Sequence, residues 1–530
     1  MKKAINALVA VFATVAMAIA GFVGAGSAFA DDATSATNTI TINNSAAGHT
    51  YEAYQIFTGT IDGDTLTNIA WGANVKSEYR TAKGDAAAFA AGLTSDNADA
   101  TAKELANNLT GDAAASTSTQ TDGKYVLTVS APGYYLIKDK DNSLTDQPEA
   151  YTAYILKVAG NVEADAKSDV PSLEKKVKEN TKANGETSYG SGYNDVADYN
   201  IGDTVPFSLF GTIPTHRTDY PKYSYTFHDT YSAGLTFNND VKVYLVSGNS
   251  DTEGTDVTSS FTVTSDPANR TFTVSCSNIN AIRGIDVSKK FRVNYTATMN
   301  SDAQIGLPGN PNGAWLTFSN NPNADYSGDK TPEGGESPKD YVIVFTYALD
   351  STKVDNANPD KKLEGAKFKL QRSSDQKWAT VDNNGKVSGW VDSKDEASEV
   401  TSGTDGKFGF TGLDVGEYRL TETVAPKGYK LPTAPFTFII SATTTNGQNW
   451  EGGMDGKTAN SALTELMITS GDTITEGNTS TGSVTLTVKN TSGSSLPSTG
   501  GMGTIVLYAA GAVLVIAAGV YFGLKKKSAR

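Results

Sequence analysis

Apolar and polar residues alternate with a period of two through most of this 530-residue chain. Thr39-Ile40-Thr41-Ile42, Tyr125-Val126-Leu127-Thr128-Val129, Phe272-Thr273-Val274 and Val484-Thr485-Leu486-Thr487-Val488 each put their apolar side chains on one face, as half-buried strands do. Turn pairs such as Asp122-Gly123, Asn384-Gly385 and Asp405-Gly406 separate such runs, as in hairpins. Helical spacing is confined to 85–93 and 101–109. The pattern predicts an all-β protein, several immunoglobulin-like sandwiches in tandem.

The two ends break the pattern. Met1-Lys2-Lys3 is basic, 4–23 is mostly apolar, and Ala28-Phe29-Ala30 is a small-x-small site, so 1–30 reads as a secretory leader cut before Asp31. Residues 505–524 form an apolar run close to the roughly 20 residues that a membrane-crossing helix needs. Lys525-Lys526-Lys527 follows it and marks the cytoplasmic side, which leaves Leu496-Pro497-Ser498-Thr499-Gly500 outside. Between the ends we expect domains at 31–168, 169–340 and 341–495, with 496–530 as a tail. A polar joint at 163–171 and a Pro/Gly/Asn-rich stretch at 306–338 serve as linkers.

Charge and composition narrow the chemistry. The net charge of −14 argues against nucleic acid and anionic membrane surfaces as partners. A single cysteine, Cys276, excludes a disulfide framework; within the alternating run FTVSC it reads as a small core residue. His49, His216 and His228 show no metal-ligand spacing and HExxH is absent, so neither metal nor cofactor is expected. No GxSxG elbow presents a nucleophile, and Asp455-Gly456-Lys457-Thr458 lacks the first glycine of a phosphate loop, Glu451 standing in its place. Enzyme action on an external substrate is not expected.

The tail resembles the cell-wall sorting signal of Gram-positive surface proteins, an LPxTG pentapeptide followed by a membrane span and a basic end. Three further runs resemble a CnaB-type domain: Leu349-Asp350-Ser351-Thr352-Lys353-Val354-Asp355, Leu363-Glu364-Gly365-Ala366-Lys367-Phe368, and the stretch from Gly416-Glu417-Tyr418 to Ala425-Pro426-Lys427-Gly428-Tyr429. The opening from Pro171 to Val177 and the runs YTFHD and YTATMN are similar to the middle domain of the same proteins. Those proteins are the major (backbone) pilins of Gram-positive sortase-assembled pili. The first domain is the least diagnostic part.

The resemblance implies isopeptide bonds, each joining a lysine and an asparagine of a domain's first and last strands beside a buried acid. In the third domain Tyr418, Leu420 and Glu422 share a face, as do Val484, Leu486, Val488 and Asn490, and Lys353 keeps the parity of Phe345, Tyr347 and Leu349. Lys353, Asn490 and Glu422 are therefore the expected set. Burial pushes a lysine towards its neutral, nucleophilic amine and a carboxylate towards the acid that polarises a carbonyl. The middle-domain set is Lys175, Asp229 and Asn300. Lys175 is in phase with Leu173 and Val177, which selects it over Lys176, whereas Asn300 is out of phase with Tyr295, Ala297 and Met299 and needs a bulge or a strand end. No lysine occurs between Asp31 and Val75, so no such bond is expected in the first domain.

The resemblance also implies that a pilus-type sortase cuts between Thr499 and Gly500 and passes Thr499 to a lysine of another copy of the chain. Lys167, eight residues before Lys175, is the expected acceptor, ahead of Lys222 in the literal Tyr220-Pro221-Lys222. A housekeeping sortase would then fix the base to peptidoglycan. The expectation is a secreted, wall-anchored shaft subunit that supports adhesion, with self-modification as its only chemistry. Its alternative is a monomeric wall-anchored adhesin, or a tip or base pilin, binding a host or cell-surface ligand.

Overall fold

In a computed structural model, the protein is described over residues 37–493, less 63–64, 95–96, 145–148, 159, 167–168, 181–185, 188–189, 250–253, 323, 325, 327–331, 333, 445–449 and 457. The leader, Lys167, the pentapeptide 496–500 and the apolar run 505–524 lie outside these residues.

Alternation builds the first domain as read. Strand Asn38–Asn43 lies between Lys124–Val129, antiparallel to it, and Val162–Asp165, parallel to it. A second sheet is built on Tyr51–Asp62 and Gly133–Asp139. Ile40, Ile42, Tyr51, Leu127 and Ile137 fill the space between the two. Three short helices, Ser77–Lys83, Ala86–Ala91 and Ala98–Ala106, add Tyr79, Ala90 and Leu105 to a second cluster around Phe57 and Leu136. The middle one starts where the Asp85 carboxylate accepts the Ala88 N–H, an N-cap.

The middle domain is a sandwich of two large sheets. In one, Leu173–Lys178 and Lys289–Met299 flank Thr204–Thr212. In the other, Asn310–Phe318 lies between Tyr225–Tyr231 and Asp340–Phe345. Two expectations change here. The stretch 306–338, expected to be a linker, contains a strand of the sandwich, Asn310–Phe318, whose inward residues are Asn312, Ala314, Leu316 and Phe318. Asp340–Phe345, expected to open the third domain, instead pairs with Val196–Asp198 and Asn310–Phe318 of the middle one. The third domain starts with Tyr347–Asp355, which pairs with Lys407–Leu413 and Ser483–Asn490.

The middle and third domains share one apolar core. Across their joint Arg372 holds Asp203 with two 2.8 Å bonds, the Tyr418 hydroxyl donates to Asn200 Oδ1 at 2.9 Å, and Trp390 Nε1 donates to the Ile201 carbonyl at 3.1 Å. Gly412, at φ +95°, lets Ile201 approach to where a Cβ would meet it at 2.4 Å. The first domain meets the middle one at Asn320, which accepts from Tyr151 N and donates to the carbonyls of Leu144 and Glu149.

Candidate cross-linking sites

In the third domain, Tyr347–Asp355 and Ser483–Asn490 run side by side and parallel, with Lys353 opposite Val488 and Asp355 opposite Asn490. The facing strand Gly416–Val424 turns Tyr418, Leu420 and Glu422 inward. Lys353, Glu422 and Asn490 are therefore delivered to one buried place, none more than 5% exposed. Lys353 Nζ lies 2.5 Å from Asn490 Oδ1 and 3.0 Å from Glu422 Oε2, while Asn490 Nδ2 donates to Glu422 Oε1 at 2.6 Å. The rings of Phe368 and Phe436 stand 5.7 and 5.5 Å from the amine. Burial holds the Lys353 pKa below the usual lysine range, with Glu422 pulling the other way. An amine drawn towards its neutral form thus faces a carboxamide whose nitrogen is held by a carboxylate.

The middle domain brings Lys175 and Asp229 together across its two sheets, both essentially buried. Lys175 Nζ bonds to Asp229 Oδ2 and, at 2.7 Å, to the hydroxyl of Tyr295. That hydroxyl donates to Asp229 Oδ2 at 2.7 Å and accepts from Asn312 Nδ2 at 2.8 Å. Burial pushes the Lys175 pKa down and that of Asp229 up, against their mutual attraction.

Asn300 is not at this site. Its strand keeps register through Thr298 and Met299, Met299 is buried in the core, and the next side chain points out. Asn300 Nδ2 donates to the Ala233 carbonyl at 2.8 Å and to Thr236 Oγ1 at 2.9 Å, and its Oδ1 accepts from Asp302 N at 2.7 Å. The buried carboxamide that shares the Tyr295 hydroxyl with Lys175 is that of Asn312, 0% exposed. Its signal was present in the inward series Asn312, Ala314, Leu316, Phe318, hidden inside a segment that composition marks as a loop.

Lys176 faces the other side of the same sheet, yet it is also buried: Nζ bonds to Asp195 Oδ1 at 2.6 Å, and Asp195 Oδ2 accepts from Trp450 N of the third domain. Near the first joint, Val162–Asp165 ends two residues before Lys167, and past it the Asp169 carboxylate accepts from Thr215 N and Oγ1. Lys222 is half-buried, two residues after Tyr220, whose ring packs edge-on against Tyr223. His49 is buried against Asp139 at 2.7 Å, His228 stacks on Trp315, and Cys276 is buried. Among the described residues no group of three His, Cys, Asp or Glu side chains is arranged to hold a metal.

Comparison with known proteins gives three family matches. Residues 348–452 match a prealbumin-like fold domain, 201–322 a Gram-positive pilin backbone subunit 2, Cna-B-like domain, and 488–529 the LPXTG cell wall anchor motif. Among characterised relatives, the chain is 26% identical over 416 residues to the trypsin-resistant surface T6 protein of Streptococcus pyogenes serotype M6, covering 68% of this chain and 70% of the relative. Among solved structures, the T6 backbone pilin of serotype M6 S. pyogenes aligns with a TM-score of 0.54 at 21% identity, over 88% of this chain and all of that one. The full-length major pilin SpaD of Corynebacterium diphtheriae aligns at a TM-score of 0.47 and 18% identity, over 86% of this chain and 98% of that one.

Proposed function

We propose that this chain is a Gram-positive backbone pilin carrying a cell-wall anchor, a structural subunit of a surface pilus shaft, cross-linked within and between copies through the following atoms. Within the third domain Lys353 Nζ attacks Asn490 Cγ, the new C–N bond forms, the Cγ–Nδ2 bond breaks, and ammonia leaves with the proton the amine gives up. Glu422 stands against both nitrogens and carries that proton. In the middle domain Lys175 attacks Asn312 in the same way, with Asp229 as the acid. Between copies, a sortase acyl-enzyme on Thr499 is resolved by Lys167 of the next subunit.

The observation that carries this reading is the buried contact of Lys353 with Asn490 at 2.5 Å, with Glu422 beside both, between the first and last strands of one domain. A surface ion pair has no need of the carboxamide, and a buried lysine left unreacted costs several kcal/mol to desolvate. The placement of Lys167 between a strand end at Asp165 and the anchored Asp169 supports its use as an acceptor at a tethered joint.

Intact mass of the secreted chain tests the internal bonds: two missing ammonias are expected, and none missing would remove the reading. For the intermolecular bond, wall extracts boiled in detergent should give a high-mass ladder that Lys167→Ala abolishes. A ladder unchanged by that substitution, or cut only by Lys222→Ala, would reject Lys167.

A further inference from the structure

We propose that the hydroxyl of Tyr295 is a catalytic group in the middle-domain cross-linking step, relaying a proton from Lys175 Nζ to the departing nitrogen of Asn312; this rests on the Lys175–Asn312 bond proposed above. The two buried sites differ in how the acid reaches the carboxamide. In the third domain Glu422 does both tasks, one oxygen 3.0 Å from the lysine and the other accepting from the asparagine at 2.6 Å. Asp229 is one methylene shorter. It bonds to Lys175 and to Tyr295, and no hydrogen bond joins it to Asn312 among the described residues. The Tyr295 hydroxyl occupies the gap, 2.7 Å from Lys175 Nζ, 2.7 Å from Asp229 Oδ2 and 2.8 Å from Asn312 Nδ2.

The ring is fixed for this task. Tyr295 is 3% exposed, its ring stacks on Phe207 at 5.2 Å, and Phe272 meets it edge-on at 4.8 Å. Its strand pairs Tyr295 with Phe207, two positions along from the Leu209 that faces Lys175, so the ring leans over the lysine from the same sheet. Burial and the neighbouring Asp229 keep the phenol protonated.

The step balances as follows. With the lysine neutral and Asp229 protonated, Nζ adds to Asn312 Cγ, leaving a positive nitrogen and a negative oxygen on a tetrahedral carbon. Asp229 Oδ1 and Asn312 Oδ1 are both buried and without a hydrogen-bond partner, so the proton of the acid is uncommitted when charge gathers on the carboxamide oxygen. As the carbon collapses, the Tyr295 O–H gives its proton to Nδ2, which leaves as ammonia. The phenol oxygen takes a proton from Nζ in exchange. An amide and a protonated phenol remain, and no outside reactant is needed.

Tyr295→Phe in the full secreted chain tests the relay. Pulse-labelled synthesis followed by intact mass should show the third-domain ammonia lost at the normal rate and the middle-domain one lost about a hundredfold more slowly, within the range for a positioned acid–base group. Phe291→Leu, which loosens the core further along the same strand where the ring packs on Tyr225 and Phe261 and keeps the Tyr295 hydroxyl and its supporting rings, should lose both at the normal rate. Loss of both ammonias at wild-type rate in Tyr295→Phe overturns the proposal. Should that variant not fold, 3,5-difluorotyrosine at 295 keeps shape and hydroxyl but makes it more acidic: a severalfold change in rate supports the relay, and an unchanged rate overturns it. Failure of the underlying reading looks different. Lys175→Ala and Asn312→Ala would then lose as much ammonia as the wild type, whatever stands at 295.

Discussion

Lys353 and Asn490 meet diagonally across two parallel strands: the lysine is in register with Val488, and its side chain reaches along the strand to the asparagine two residues further on. The two residues are 137 positions apart in sequence, so an amide between them closes almost the whole third domain into one loop. By analogy with disulfides over long loops, it should stabilise the domain by about 2–5 kcal/mol. Asn490→Ala is expected to restore one ammonia to the intact mass, lower the melting temperature by several degrees, and make the region after Lys353 sensitive to trypsin. A melting curve and digestion pattern equal to wild type would show that the contact is not a bond.

Glu422→Gln separates the acid from the space it fills. The amide keeps a hydrogen bond for Asn490 but cannot take up the lysine proton. The variant should fold with Lys353 and Asn490 in place and unlinked, which tandem mass spectrometry of the 353 and 490 peptides reads directly. Formation of the 353–490 peptide pair at wild-type yield would show that Glu422 has no part in the step.

The correction in the middle domain predicts a clear contrast. Asn312→Ala should retain one more ammonia than wild type, whereas Asn300→Ala, which removes bonds to Ala233, Thr236 and Asp302 at the surface, should show no ammonia retained relative to wild type and a melting temperature within about two degrees of it. The reverse result would return the bond to Asn300.

At the joint between the middle and third domains, Asp414 is buried beside Asp198 and Glu179, and burial, with those carboxylates, raises its pKa well above the usual aspartate value. A raised folded pKa means that its contribution to stability is fully present below the ordinary carboxylate range and is lost as pH rises through the folded value. Stability should therefore fall on going from mildly acidic to alkaline buffer, and Asp414→Asn should flatten that part of the profile and raise the melting temperature at high pH. Parallel profiles for the two proteins would show that Asp414 does not carry the dependence.

Most of the third-domain site was legible because it depends on parity alone. Glu422 follows Tyr418 and Leu420, Asn490 follows Val484, Leu486 and Val488, and a strand carries such a series unchanged into the core. Parity says which face a residue takes, not whether that face is covered. Lys176 was set aside as the outward neighbour of Lys175, yet a third-domain segment with Trp450 closes over Asp195 beside it. Asn312 was missed for a related reason. Asn310, Pro311 and Gly313 give Asn310–Phe318 the composition of a loop, and only pairing with Tyr225–Tyr231 and Asp340–Phe345, far away in sequence, makes it a strand. That same pairing moves the domain boundary past Phe345, a decision made by long-range contacts that no local pattern carries.

The parallel neighbours Tyr347–Asp355 and Ser483–Asn490 decide how the molecule answers a pull. Tension applied to the chain beyond Asn490 and resisted at the middle domain loads these strands lengthwise, so that their ladder is sheared as a block rather than opened like a zip. With an amide from Asn490 to Lys353, the force leaves the last strand at its exit and descends only from Lys353 to Tyr347. Everything from Val354 to Lys489 then hangs off the load-bearing line, and the third domain can be tugged without paying out any of its length.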